Sequence, residues 1–197
     1  EEQPRRVDPT HGLPAEDVDG RAREVAAFEK DLGLWRNELE AIRAGIELLD
    51  ESRSQWKGRG PQADPRGAVF EAWLAMNEAM ADFMSVRFRR DDSKWRLFQL
   101  AFIVANIPAF ATRIPEFKHK YQEKRDDAVT LLYFATGGGK SEAFFGLLVF
   151  TLLLDRLRGK KTGVTAMLRY PLRLLTIQQA QRCSRVLAHA ELVRRRS

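Results

Sequence analysis

The run Ala135-Thr136-Gly137-Gly138-Gly139-Lys140-Ser141 constrains this chain more than any other stretch. Three adjacent glycines carry no Cβ, so the backbone can wrap tightly and turn successive N–H groups toward an anion. The glycines sit between two apolar segments of different kind. Before them is a β-branched and aromatic run, 129–134 (VTLLYF), which predicts a strand buried on both faces. After them, 141–157 has the spacing of an apolar helix whose first turn would add unpaired amides and the positive end of its dipole. A further run, 163–170 (GVTAMLRY), predicts a second strand. Strand, glycine loop, helix, strand is a βαβ unit, so the expected fold class is α/β with a parallel sheet.

The loop fits G-x-x-x-x-G-K-[ST] except at its first position, where Phe134 replaces glycine. In that pattern Thr136, Gly137, Gly138 and Gly139 would cradle a triphosphate. Lys140 would neutralise its β- and γ-phosphates, and the Ser141 hydroxyl would hold Mg²⁺. ATP and Mg²⁺ are therefore the expected ligands. Kinases, transporter ATPases, GTPases and nucleic-acid motors all remain open at this point. The segment 171–178, Pro-Leu-Arg-Leu-Leu-Thr-Ile-Gln, narrows the choice because it fits P-x-R-x-L-x-x-Q and so resembles the second signature block of superfamily 2 helicases, which implies a strand end, a proline turn and a new helix laid on a nucleic-acid strand. A helix N-terminus binds phosphate through free amides, and the Arg173 guanidinium would add two-pronged contacts that carry no sequence information. Pro171, Arg173 and Gln178 are the expected DNA contacts, with Arg182 and Arg185 at helical spacing from Gln178. Charge agrees: from Arg158 onward the chain has ten Lys/Arg and one acid, whereas the preceding 157 residues have 23 basic and 26 acidic. Local positive charge of this kind is expected of a surface that meets phosphates, or of a solvated terminus.

Residues 1–20 mix prolines, glycines and acids without apolar periodicity and predict an extended arm. Residues 21–94 predict a helical region. Val25, Phe28, Leu32, Trp35, Leu39, Ile42, Ile46 and Leu49 alternate spacings of three and four, one stripe of a helix near 22–51. That stripe would dock on something. Val69, Trp73, Met76, Met80 and Phe83 mark a second helix near 67–88, and 95–111 predicts a buried helix stopped by Pro108. Residues 95–197 are expected to form a further portion that holds the glycine loop. No apolar stretch approaches the roughly 20 residues of a membrane span. With no export signal and one cysteine, Cys183, the expected location is cytoplasmic. Hydrolysis needs carboxylates to hold Mg²⁺ and orient water. After Ser141 the only acids are Glu142, Asp155 and Glu191, and none ends an expected strand, so these residues alone should not turn over ATP.

The loop and the P-x-R-x-L-x-x-Q block at 171–178 resemble the first two signature blocks of superfamily 2 helicases. The resemblance implies a RecA-like motor lobe, of which 95–197 is the first part. It also implies that Gln99, in Trp95-Arg96-Leu97-Phe98-Gln99, reads the adenine edge of ATP. The longer runs 136–147 and 163–179 are similar to the DrmA family of the bacterial DISARM anti-phage systems. That similarity implies an ATP-dependent DNA translocase that pairs with a partner called DrmB.

Overall fold

A computed structural model of the protein describes residues 8–88, 94–135, 137–170 and 173–196, the side chains of 87, 88 and 173–175 excepted. Six helices follow in chain order: α1 (Val18–Gln55), α2 (Gly67–Phe88), α3 (Leu97–Ala111), α4 (Glu123–Asp126), α5 (Lys140–Leu157) and α6 (Arg173–Arg196). A 3₁₀ turn, Pro115–Lys120, lies between α3 and α4.

Residues 1–40 and 41–197 are separate compact units. In the first, 8–17 make successive turns, with Asp8 accepting from the backbone and hydroxyl of Thr10. The first part of α1 belongs to this unit. Its expected apolar stripe is largely uncovered there: Trp35 is 55% exposed and Leu39 46%. Phe28 and Trp35 meet edge to face.

In the second unit, α5 packs on α2, α3 and α6, and α2 also packs on α6. The core is mostly α-helical, with Ile114 and Phe117 added at the 3₁₀ turn. Val69, Met76, Met80 and Phe83 of α2, Ile103 and Ile107 of α3, Phe145, Val149 and Phe150 of α5, and Val186 and Val193 of α6 are buried in one cluster. The three-and-four spacing of these side chains is what points them inward together. Ser52 and Glu71 fasten the α1–α2 connection. The Ser52 hydroxyl donates to the Arg66 carbonyl and accepts from the Phe70 amide. The buried Glu71 carboxylate accepts from Trp56 Nε1 at 2.7 Å.

Pro108 does not stop α3, which runs on to Ala111. Proline cannot donate to the carbonyl four residues back, here Val104. That carbonyl faces Gly45 of α1, where any Cβ would collide with it. The missing donor and the missing side chain together allow two helices to approach at one point.

The α/β expectation is wrong: among the described residues there is no strand and no sheet. The segments 129–134 and 163–170 have irregular backbone. Val129, Leu131 and Tyr133 are 96%, 84% and 93% exposed, the opposite of burial on both faces. A β-rich composition favours extended backbone, but a strand exists only where neighbouring backbone accepts and donates its hydrogen bonds. These runs are held by side chains instead. Leu132 rests on the helical core, Thr130 donates to Asn106 Oδ1 at 3.1 Å, and Thr165 donates to the buried Asp155. Among the described residues no helix is long and apolar enough to cross a membrane.

Candidate functional site

The glycine loop meets α5 through two left-handed residues, Gly137 (φ 78°) and Gly139 (φ 93°), the latter capping the helix. Side chains would strain both. The Gly138 amide donates to the Ala135 carbonyl at 3.1 Å, which closes the turn before the helix begins at Lys140. Thr136 lies outside the described residues.

Phe134, the departure from the general motif, has a structural reason. Its ring stacks on Phe98 of α3 with centroids 3.9 Å apart and planes inclined by 14°. Its edge also occupies the space that a Cβ on Gly138 would need. The middle glycine is thus required by the phenylalanine that stands where the motif has glycine. Lys140 Nζ donates to the Phe134 carbonyl at 2.5 Å, which holds the ammonium along the exposed edge of the loop. Ser141 is in the first turn of α5 and half-buried.

The N-terminus of α3 grips the loop from outside. Arg96 donates to the Gly138 carbonyl at 2.7 Å, and Gln99 Nε2 donates to the Gly139 carbonyl at 2.8 Å. Gln99 Oε1 accepts from the Arg96 backbone amide at 2.8 Å. Gln99 is buried, 4% exposed, and both ends of its amide are engaged by main chain. Reading a base edge would require one of those bonds to be exchanged. The spacing between Gln99 and Lys140 in the sequence gave no warning of this contact, since only the packing of α3 on α5 brings them together.

On the other side of the loop, Glu142 of α5 pairs with Arg182 of α6 at 2.5 Å. Arg182 was expected to extend a basic face from Gln178. Instead its guanidinium turns inward over the Phe145 ring and donates to Gln179 at 3.2 Å. Gln178 is exposed on α6 and Gln179 is buried. Arg173 opens α6, while Pro171 lies outside the described residues and the Arg173 side chain is likewise not described. Much of the basic surplus is locally answered: Arg158 and Lys160 by Asp155, Arg194 and Arg195 by Glu191, and Arg196 by Glu78 and Asp82. The terminal arginine run is therefore at least partly a solvated, paired face.

The acids after Ser141 are all in ion pairs. Burial would raise the Asp155 carboxyl, but hydrogen bonds from Lys160, Thr165 and Arg158 outweigh it and hold it at about 2. Arg194 and Arg195 likewise hold Glu191 at about 2. Among the described residues no group of three or more His, Cys, Asp or Glu side chains is gathered as for a metal ion.

Across an alignment 180 positions long that covers 81% of this chain, it is 37% identical to the DISARM protein DrmA of Bacillus paralicheniformis. This chain is related in sequence to DrmA. It spans 14% of the length of that relative. No family model and no solved structure matches the chain. A match of this extent must take in most of the helical unit as well as the glycine loop, so the similarity to DrmA is not confined to a short motif.

Proposed function

We propose that this chain is a segment of an ATP-dependent DNA helicase or translocase that acts in DISARM anti-phage defence. The observation that carries the reading is the kinship with DrmA across a segment that contains the Gly137–Ser141 loop. The loop geometry is compatible with ATP and Mg²⁺: two left-handed glycines and a helix start lie beside one ammonium group. Gly137, Gly138, Gly139, Lys140, Ser141 and Thr136 would hold the triphosphate, with Ser141 facing Mg²⁺. When bound, ATP supplies the free energy that changes the grip on DNA.

The chain's own residues have separate tasks in this reading. Arg96 and Gln99 fix two loop carbonyls, so the loop need not be ordered at the moment of binding. Lys140 gives up the Phe134 carbonyl for phosphate. Arg173 and Gln178, with Pro171, engage the DNA backbone. DrmB is the proposed protein partner.

In the full-length protein, Lys140→Ala is expected to abolish DNA-stimulated ATP hydrolysis while leaving complex formation intact. Hydrolysis that persists at the wild-type rate would overturn the motor reading. Arg173→Ala is expected to weaken DNA binding about equally for all sequences and to lower the salt slope by about 1. Loss at one sequence only would exclude a backbone contact.

A second reading is a partner-docking module whose loop holds nucleotide structurally. It is favoured by the uncovered α1 stripe around Trp35 and Leu39. It predicts that Lys140→Ala leaves defence activity unchanged, whereas Trp35→Ala with Leu39→Ala removes partner binding.

A further inference from the structure

The ion pair between Glu142 and Arg182 connects two places that the proposed function treats separately. Glu142 follows Ser141 directly in the first turn of α5, and its Oε2 lies 3.5 Å from where a Cβ on Gly139 would stand. It is thus against the loop as well as against α6. Arg182 lies one helical turn beyond Gln178, and it also donates to Gln179, the neighbour of Gln178. The two charged side chains are only 10% and 18% exposed and meet at 2.5 Å. Arg182 Nε is buried without a hydrogen-bond partner among the described residues. A buried fork with a spare donor is an unusual arrangement for a purely structural tie.

We infer that Arg182 is a positioning residue that couples occupancy of the glycine loop to the grip of α6 on DNA, through its buried pair with Glu142. The inference rests on reading the loop as the nucleotide site and the start of α6 as the DNA site. Its physical basis is electrostatic. A triphosphate at the α5 N-terminus brings negative charge within a turn of the Glu142 carboxylate, and both anions compete for the same guanidinium. Screening by water is weak where the pair is buried, so that competition changes the energy of the α5–α6 contact. Arg182 is carried by the helix that bears Gln178, so a change in its pairing with Glu142 changes how that helix is held against α5. A ligand moves a protein only through contacts that differ between two arrangements, and this pair is such a contact.

The test is a pair of titrations on the full-length protein. Affinity for N-methylanthraniloyl-AMPPNP, a non-hydrolysable triphosphate, with Mg²⁺ is measured with and without saturating single-stranded dT20, and affinity for dT20 is measured with and without the nucleotide. In the wild type each ligand is expected to change the other's Kd by the same factor, on the order of tenfold, as linkage requires. Arg182→Met is expected to bind each ligand alone within about threefold of wild type while that factor falls to about one. Arg182→Lys, which keeps the charge but not the fork, is expected to retain part of it. Because Arg182→Met strands a buried carboxylate, the double variant Glu142→Gln with Arg182→Met guards against misfolding and is expected to show the same loss. Coupling that survives in the double variant overturns the inference, as does a wild type that binds both ligands without coupling. A wild type that binds no nucleotide overturns the underlying site, a distinct result.

Discussion

Arg96 and Gln99 share one task, because each donates to a carbonyl of the glycine loop while Phe98 between them stacks on Phe134. Gln99 is the more costly to lose, since it also receives the Arg96 amide at the start of α3. Gln99→Ala leaves the part-buried Arg96 amide and Gly139 carbonyl without this partner, and a loss of about 1 kcal/mol in unfolding free energy is expected by urea titration. Arg96 is more exposed, so Arg96→Ala should lower nucleotide affinity with little change in stability; equal losses in both would show that it serves only the fold. Asp155 makes a prediction in pH. Its folded carboxyl is held at about 2, below the usual carboxylate value, so its stabilisation is full above that usual value and is lost as pH falls toward 2. About 1 kcal/mol is expected from this group after screening. Asp155→Asn should therefore flatten the acid limb of stability between about pH 4 and 2, read by thermal melts across that range.

Helix α1 meets α3 at Gly45, beside the Val104 carbonyl to which Pro108 cannot donate. Gly45→Ala sets two effects against each other. Alanine favours the helix by about 1 kcal/mol, but its methyl group meets main chain that cannot rotate away. Overpacking of about 1–3 kcal/mol prevails, so a lower Tm is the expected outcome. An unchanged or raised Tm would mean that the two helices part easily. Gly33, which has open space around it, provides the control, and Gly33→Ala should be neutral or stabilising. The helical elements were legible because their apolar side chains recur at three and four residues, as those of α2 do over Gly67–Phe88. The two expected strands were misread because an apolar, β-branched composition describes only a residue's local preference. Pairing requires another backbone at hydrogen-bonding distance, and no described segment supplies one at 129–134 or 163–170.

Considered as a whole, the chain has a helical core with a glycine loop at the start of α5, gripped by α3 on one side and linked to α6 on the other. Glu142, Asp155 and Glu191, the acids after Ser141, are all committed to basic partners. Purified residues 1–197 are accordingly expected to show no multiple-turnover ATP hydrolysis, and a DNA-stimulated steady-state rate from them would contradict this. The loop's left-handed turns, the helix after it and the apolar periods of α1, α2 and α5 could be read from residue order, because each depends on neighbours a few positions apart. The capture of Gln99 by the Gly139 carbonyl, the stacking of Phe98 on Phe134 and the inward turn of Arg182 could not. They join residues some 36 to 40 positions apart, and such meetings depend on how helices pack, which no local spacing encodes.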